Sequence, residues 1–246
     1  MKVEKLVEIL YNIAPFDRAY DWDNNGLMVG NAQDEITSVY LTLDADAYAL
    51  KRAKELSANV VISHHPLIFD KLSSVTAGGL AYWYIKEGIS VISVHTPLDM
   101  AKGGVNDCLA KALELEQIEE YFDGTKPIGR KGKSKISDGV EFAELIKKNL
   151  DLDGIECIIN RPVNSVLVVS GSGGGEIENA YFGGYDTLVT GEAKHDRLVY
   201  CDDHNMNIFV LGHFASENIV LDFLQDEISK YVPCHKSDRK RLTHRR

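Results

Sequence analysis

From residue 36 onward, short β-branched runs alternate with stretches of helical periodicity, and this alternation is the signature of strand–helix–strand units around a largely parallel sheet. The first half predicts strands over 38–43, 59–63 and 89–94, with helices over 45–57, 77–86 and 105–115. The second half repeats the pattern, with strands over 165–170, 187–190 and 208–211 and helices opening near 176, 192 and 215, the last running to 230. The expected class is α/β, built as two similar, interlinked lobes. The stretch 121–140, with Gly124, Gly129, Gly132 and Gly139, lacks helical periodicity and reads as a linker or a hairpin. It sets an approximate boundary, with one lobe over 1–125 and the other over 126–246.

Charge narrows the partners. The 246 residues carry 37 acidic and 27 basic side chains, a formal charge of −10, which disfavours a general nucleic-acid coat. The hydrophobic share of 44 % is enough for a large core and excludes disorder. The bases are clustered: Lys126, Arg130, Lys131, Lys133 and Lys135 share one stretch, and Lys236, Arg239, Lys240, Arg241, Arg245 and Arg246 crowd the tail. The remaining body is about twice as negative as the total. Val3, Leu6, Val7 and Leu10 follow i, i+3, i+4, i+7 with Glu4 and Glu8 interleaved, which predicts an amphipathic helix rather than a targeting segment. No apolar run approaches the roughly 20 residues that cross a bilayer. Cys108, Cys157, Cys201 and Cys234 form no C-x-x-C pair and read as reduced, mostly buried thiols of a cytoplasmic protein.

Polar residues at strand ends locate the chemistry, because open α/β sheets bind ligands at the carboxyl ends of their strands. His64 and His65 follow one strand, fixed by Pro66. Adjacent side chains diverge, so two imidazoles there suit two metal ions better than one; the plainer alternative is a core histidine beside a turn-capping one. Asp99, four residues after His95, can bridge two ions or bind one terminally, and Glu217 follows His213 by four, a spacing that brings His213 and Glu217 onto one face of a helix's first turn. His64, His65, Asp99, His213 and Glu217 make a ligand set for two divalent ions, and mixed nitrogen and oxygen donors suit Zn, Fe, Mn, Co or Ni. His95 reads as a ligand, an orienter of ligands or a core histidine, with the last two favoured.

The successive segments Trp22-Asp23-Asn24-Asn25-Gly26-Leu27, Ser63-His64-His65-Pro66, His95-Thr96-Pro97-Leu98-Asp99, Ser170-Gly171-Ser172-Gly173-Gly174 and Gly212-His213-Phe214-Ala215-Ser216-Glu217 resemble those of the YbgI-like, Ngg-interacting-factor-three-like family. That family is catalogued as a GTP cyclohydrolase I type 2 homolog. The resemblance implies two related α/β lobes, a dinuclear metal centre between them held by the same five residues, and a ring-shaped homohexamer. The chain resembles the short form, without an inserted middle domain.

Several neighbours have two readings each. Gly171, Ser172, Gly173 and Gly174 form either a phosphate cradle or a close-packed backbone passage. Glu192 and His195 are candidate proton shuttles, or a helix cap and its solvated first turn. Trp22 reads as a packing anchor in preference to a base stacker, Asp23 as a turn or mouth residue, and Asp44 as a helix cap in preference to a cleft carboxylate. The expected function is a metal-dependent hydrolase, cyclohydrolase-like, acting on a nucleotide or other phosphorylated small molecule. The alternative is a DNA- or RNA-binding ring that uses segments 126–135 and 236–246, its metals structural or regulatory.

Overall fold

A computed structural model describes residues 1–240. In chain order, α1 (Val3–Ile13) precedes β1 (Gly26–Val29), β2 (Val39–Thr42), α2 (Ala47–Glu55), β3 (Val60–Ser63), α3 (Leu80–Lys86), β4 (Ser90–Ser93), α4 (Thr96–Met100) and α5 (Val105–Ala112). Next come β5 (Glu116–Asp123), β6 (Lys126–Lys133), α6 (Gly139–Asn149), β7 (Glu156–Ile158), β8 (Ser165–Val169), α7 (Ile177–Phe182) and β9 (Thr187–Thr190). The series ends with α8 (His195–Asp203), β10 (Asn207–Val210), α9 (His213–Glu217), α10 (Val220–Ile228) and β11 (Cys234–Lys236). Among the described residues no helix is long and apolar enough to cross a membrane.

The chain divides into two compact units, and not at residue 125. The first comprises Met1–Lys102 with Val220–Arg239, the second Gly103–Ile219 with Lys240. Two pairings move the boundary. Strand β11 lies parallel to β2, with Cys234 opposite Val39, which returns the C-terminal segment to the first unit. The 121–140 stretch is a hairpin, not a linker: β5 and β6 pair antiparallel and β6 continues onto β8, so the hairpin belongs wholly to the second unit.

In the first unit the sheet order is β1-β4-β3-β2-β11. Strands β2, β3 and β4 run parallel, and all four residues of each are buried. Burial on both faces explains why they read as continuous Val/Ile runs rather than as alternation. Ala49 and Ala53 of α2 pack into a cluster with Tyr40, Val61, Tyr84 and Val91. Helix α2 starts where Asp46 accepts a hydrogen bond from the Ala49 amide at 2.9 Å, a cap worth about 1 kcal/mol. The cap is thus Asp46, not Asp44.

In the second unit the order is β5-β6-β8-β9-β10-β7. Its parallel strands β8, β9 and β10 also follow one another in chain order. Phe142 and Ile146 of α6 pack with Val166, Val168 and Phe209 on the sheet. The helix expected over 215–230 is two helices, α9 and α10, and the chain passes from the second unit to the first there.

Both basic clusters carry ion pairs. Arg130 is buried and paired with Asp107, Lys131 with Glu119 at 3.0 Å, and Lys135 with Glu116 at 2.9 Å. Lys236 pairs with Asp222 and Arg239 with Asp46. Arg241, Arg245 and Arg246 lie outside the described residues.

Candidate metal centre

Parallel strands end at a common edge, so the residues after each strand are delivered to one place. In the first unit β2 leads into Leu43 and Asp44, β3 into His64 and His65, and β4 into Val94 and His95. The three imidazoles converge: His64, His65 and His95 each offer a ring nitrogen within 4.8 Å of the others. Their ring centroids are 5.1–5.6 Å apart.

An oxygen faces the Nδ1 of each ring. His64 Nδ1 is 2.9 Å from the Val94 carbonyl, His65 Nδ1 is 2.8 Å from Asp44 Oδ1, and His95 Nδ1 is 2.7 Å from Asp23 Oδ1. A carbonyl or carboxylate only accepts, so each Nδ1 carries the proton, and in a neutral ring Nε2 presents its lone pair. This is the arrangement that prepares imidazoles for a cation. His64 Nε2 also stands 3.5 Å from Asp99 Oδ1. Two acceptors facing each other across that distance repel unless a proton or a metal ion lies between them. The donor set passes the chemical test for a divalent ion.

Asp23 is the firmest part of this frame. Burial opposes its ionisation, but hydrogen bonds from His95, Thr96 and Asn25 outweigh burial and hold its carboxyl far below the ordinary range. Asn25 Oδ1 accepts from the His95 amide at 2.7 Å, and Asn24 Nδ2 donates to the Ile68 carbonyl at 2.7 Å. The first motif is therefore a clamp on His95 and on the loop after His65, and His95 is more than a core histidine.

In the second unit Gly212, with φ +92°, turns β10 into α9, and the first turn of α9 puts His213 Nε2 3.0 Å from Glu217 Oε2. His213 Nδ1 is 3.3 Å from Glu192 Oε2. Glu192 precedes α8, whose cap position is Lys194, so it orients His213 instead of capping a helix. The hydrogen bond from Ser172 Oγ at 2.8 Å, opposed by partial burial and reinforced by His213, holds the Glu192 carboxyl below its ordinary value. His195 is exposed on the first turn of α8.

The glycine-rich turn is packed hard within this unit. Gly171, at φ +57°, sits where a Cβ would fall on Glu217 Oε1, and Cβ atoms on Gly173 and Gly174 would strike Val169 and the Glu192–Ala193 backbone. Ser216 Oγ accepts from the Gly171 amide at 3.0 Å and donates to the His213 carbonyl at 2.9 Å. The close-passage reading accounts for these glycines. Beside them opens a cleft of about 700 Å³ lined by Ser172, Gly174, Glu192, Lys194, Arg197 and Gly212.

Fold and donors together define a two-sheet α/β protein whose strand ends carry histidine and carboxylate groups able to hold a metal ion. The chain belongs to the Duf34/NIF3 (NGG1p interacting factor 3) family, whose signature matches residues 1–240. A GTP cyclohydrolase 1 type 2 homolog of Clostridium perfringens (strain 13 / Type A) is 31 % identical over 241 residues, covering 94 % of this chain and 92 % of that protein. Reduced HcgD from Methanocaldococcus jannaschii has a similar structure, with a TM-score of 0.85, 27 % identity and coverage of 97 % and 98 %. Staphylococcus aureus protein SA1388 shares the fold at a TM-score of 0.89 and 24 % identity, over 100 % of this chain and 99 % of that one.

Proposed function

We propose that this chain is a metal-dependent hydrolase that holds two divalent ions through His64, His65, Asp99, His213 and Glu217 and acts on a nucleotide or other phosphorylated small molecule. The observation that carries the proposal is the proton placement on His64, His65 and His95, where every Nδ1 meets an oxygen, so that in a neutral ring Nε2 keeps the lone pair a cation would take. His64, His65 and Asp99 belong to the first unit, and His213 and Glu217 to the second. Divalent ions in such a set supply Lewis acidity toward a hydrolysable bond.

The chain's own groups supply the rest. Glu192, ionised at neutral pH and steered by Ser172, accepts a proton while His213 stays oriented. In the cleft beside the glycine-rich turn, Lys194 faces an anionic end of the substrate. The names of the relatives agree with ring-opening hydrolysis, and self-association into a homohexamer belongs to the same proposal. Its test is a turnover screen of metal-loaded protein against nucleotides and phosphoesters. Turnover abolished by H64A and by E217Q supports it, and no turnover dependent on these residues removes it.

A further inference from the structure

Trp22 is not a buried packing anchor. It is 55 % exposed, and Phe69, four residues after His65, is 50 % exposed. The two rings are nearly parallel, 5.8 Å apart with a 21° interplanar angle, and Tyr20 stacks on Trp22 at 5.3 Å and 8°. Trp22 and Phe69 both meet His95 edge-on, at 6.0 and 5.9 Å. Three aligned rings thus lead to an imidazole of the donor cluster.

Their backbone is fixed from beneath. Asp23, next to Trp22, has a fully buried side chain bonded to His95 and Thr96, and its amide donates to the Tyr20 carbonyl at 2.9 Å. The Asn24 bond to the Ile68 carbonyl fixes the residue before Phe69. Rings exposed to water on so rigid a support are prepared for a partner with a flat apolar face. A parallel ladder matches a planar ring, whereas a bulky aliphatic group calls for a bowl.

We propose that Tyr20, Trp22 and Phe69 form a stacking platform for a planar heteroaromatic ring of the nucleobase class. The platform would hold the ring beside His95, at the edge of the metal centre. It names the base end of the proposed substrate and rests on the hydrolase reading only for the fate of that ring.

The sequence has two tryptophans, so W83F leaves Trp22 as the sole tryptophan reporter. The full-length W83F protein, with Zn²⁺ and after chelation, is titrated with guanosine 5′-monophosphate and with ribose 5-phosphate, which lacks the base. We expect saturable quenching of Trp22 by the nucleotide alone. Adding F69L should weaken binding on the order of tenfold, and F69Y should restore it. Equal response to both ligands, no saturable quenching, or F69L binding like its parent overturns the platform. So does a Trp22 emission that changes with protein concentration and not with nucleotide, since a second copy then covers the rings. Quenching without turnover strikes the hydrolase reading alone, and turnover without quenching strikes the platform alone.

Discussion

Asp44 Oδ1 lies 2.8 Å from His65 Nδ1, and this contact decides which nitrogen of His65 can bind a cation. D44A should therefore weaken metal binding roughly 10- to 100-fold without unfolding the chain. D44N, which keeps an acceptor oxygen, should lose less. Competition with a chromophoric chelator measures both, and equal affinity of D44A and the parent would refute the assignment.

Metal removal should lower the melting temperature. A ligand at a hundredfold excess over its dissociation constant adds about 2.7 kcal/mol, which in a chain of this size corresponds to roughly 5–10 °C. Differential scanning fluorimetry before and after chelation should show that drop in the parent and little of it in H64A.

Gly171 and Gly175 make a matched pair of tests. At Gly171 a side chain meets a positive φ and the Glu217 carboxylate, whereas at Gly175 nothing lies within 4 Å. G171A should cost about 1–3 kcal/mol and reduce bound metal, because Glu217 must move. G175A should leave both unchanged, as read by urea unfolding and metal analysis.

The buried pair Arg130–Asp107 should be costly to halve. D107A leaves a guanidinium in the core and is expected to destabilise by about 3–5 kcal/mol, while the apolar double substitution R130M/D107L should cost much less. Urea titrations of the three proteins give the comparison directly.

Burial pushes the Cys201 thiol up to about 12. The thiolate is the nucleophile, so iodoacetamide at pH 8 should label Cys201 only after unfolding. The unfolded chain releases this proton near pH 9. The contribution of Cys201 to stability is therefore complete below that pH and declines as pH rises toward 12. Peptide mapping after alkylation at pH 8, with and without urea, checks the first statement.

Much of the site is legible because strand ends are legible. A β-branched run leading into His64-His65-Pro66, and a four-residue spacing from His213 to Glu217, mark donors without any knowledge of tertiary contacts. The orienting groups are not legible in this way. Asp44 and Asp46 both suit a helix start, and only the approach of His65, 21 residues away, separates their roles. Asp23 reads as a turn or mouth residue until His95 arrives from 72 residues further on. Arg130 looks like one of a run of surface bases because its partner Asp107 is on another element. Pairing β11 with β2 is hidden for the same reason, since three residues of strand carry no address.

That last pairing has a consequence for biogenesis. A nascent chain extended as far as β10 has every other element of its first unit except α10, yet the outer edge of β2 still shows open backbone donors and acceptors. The unit made first is thus finished last, and until β11 emerges that edge must be shielded or left open to a neighbouring chain.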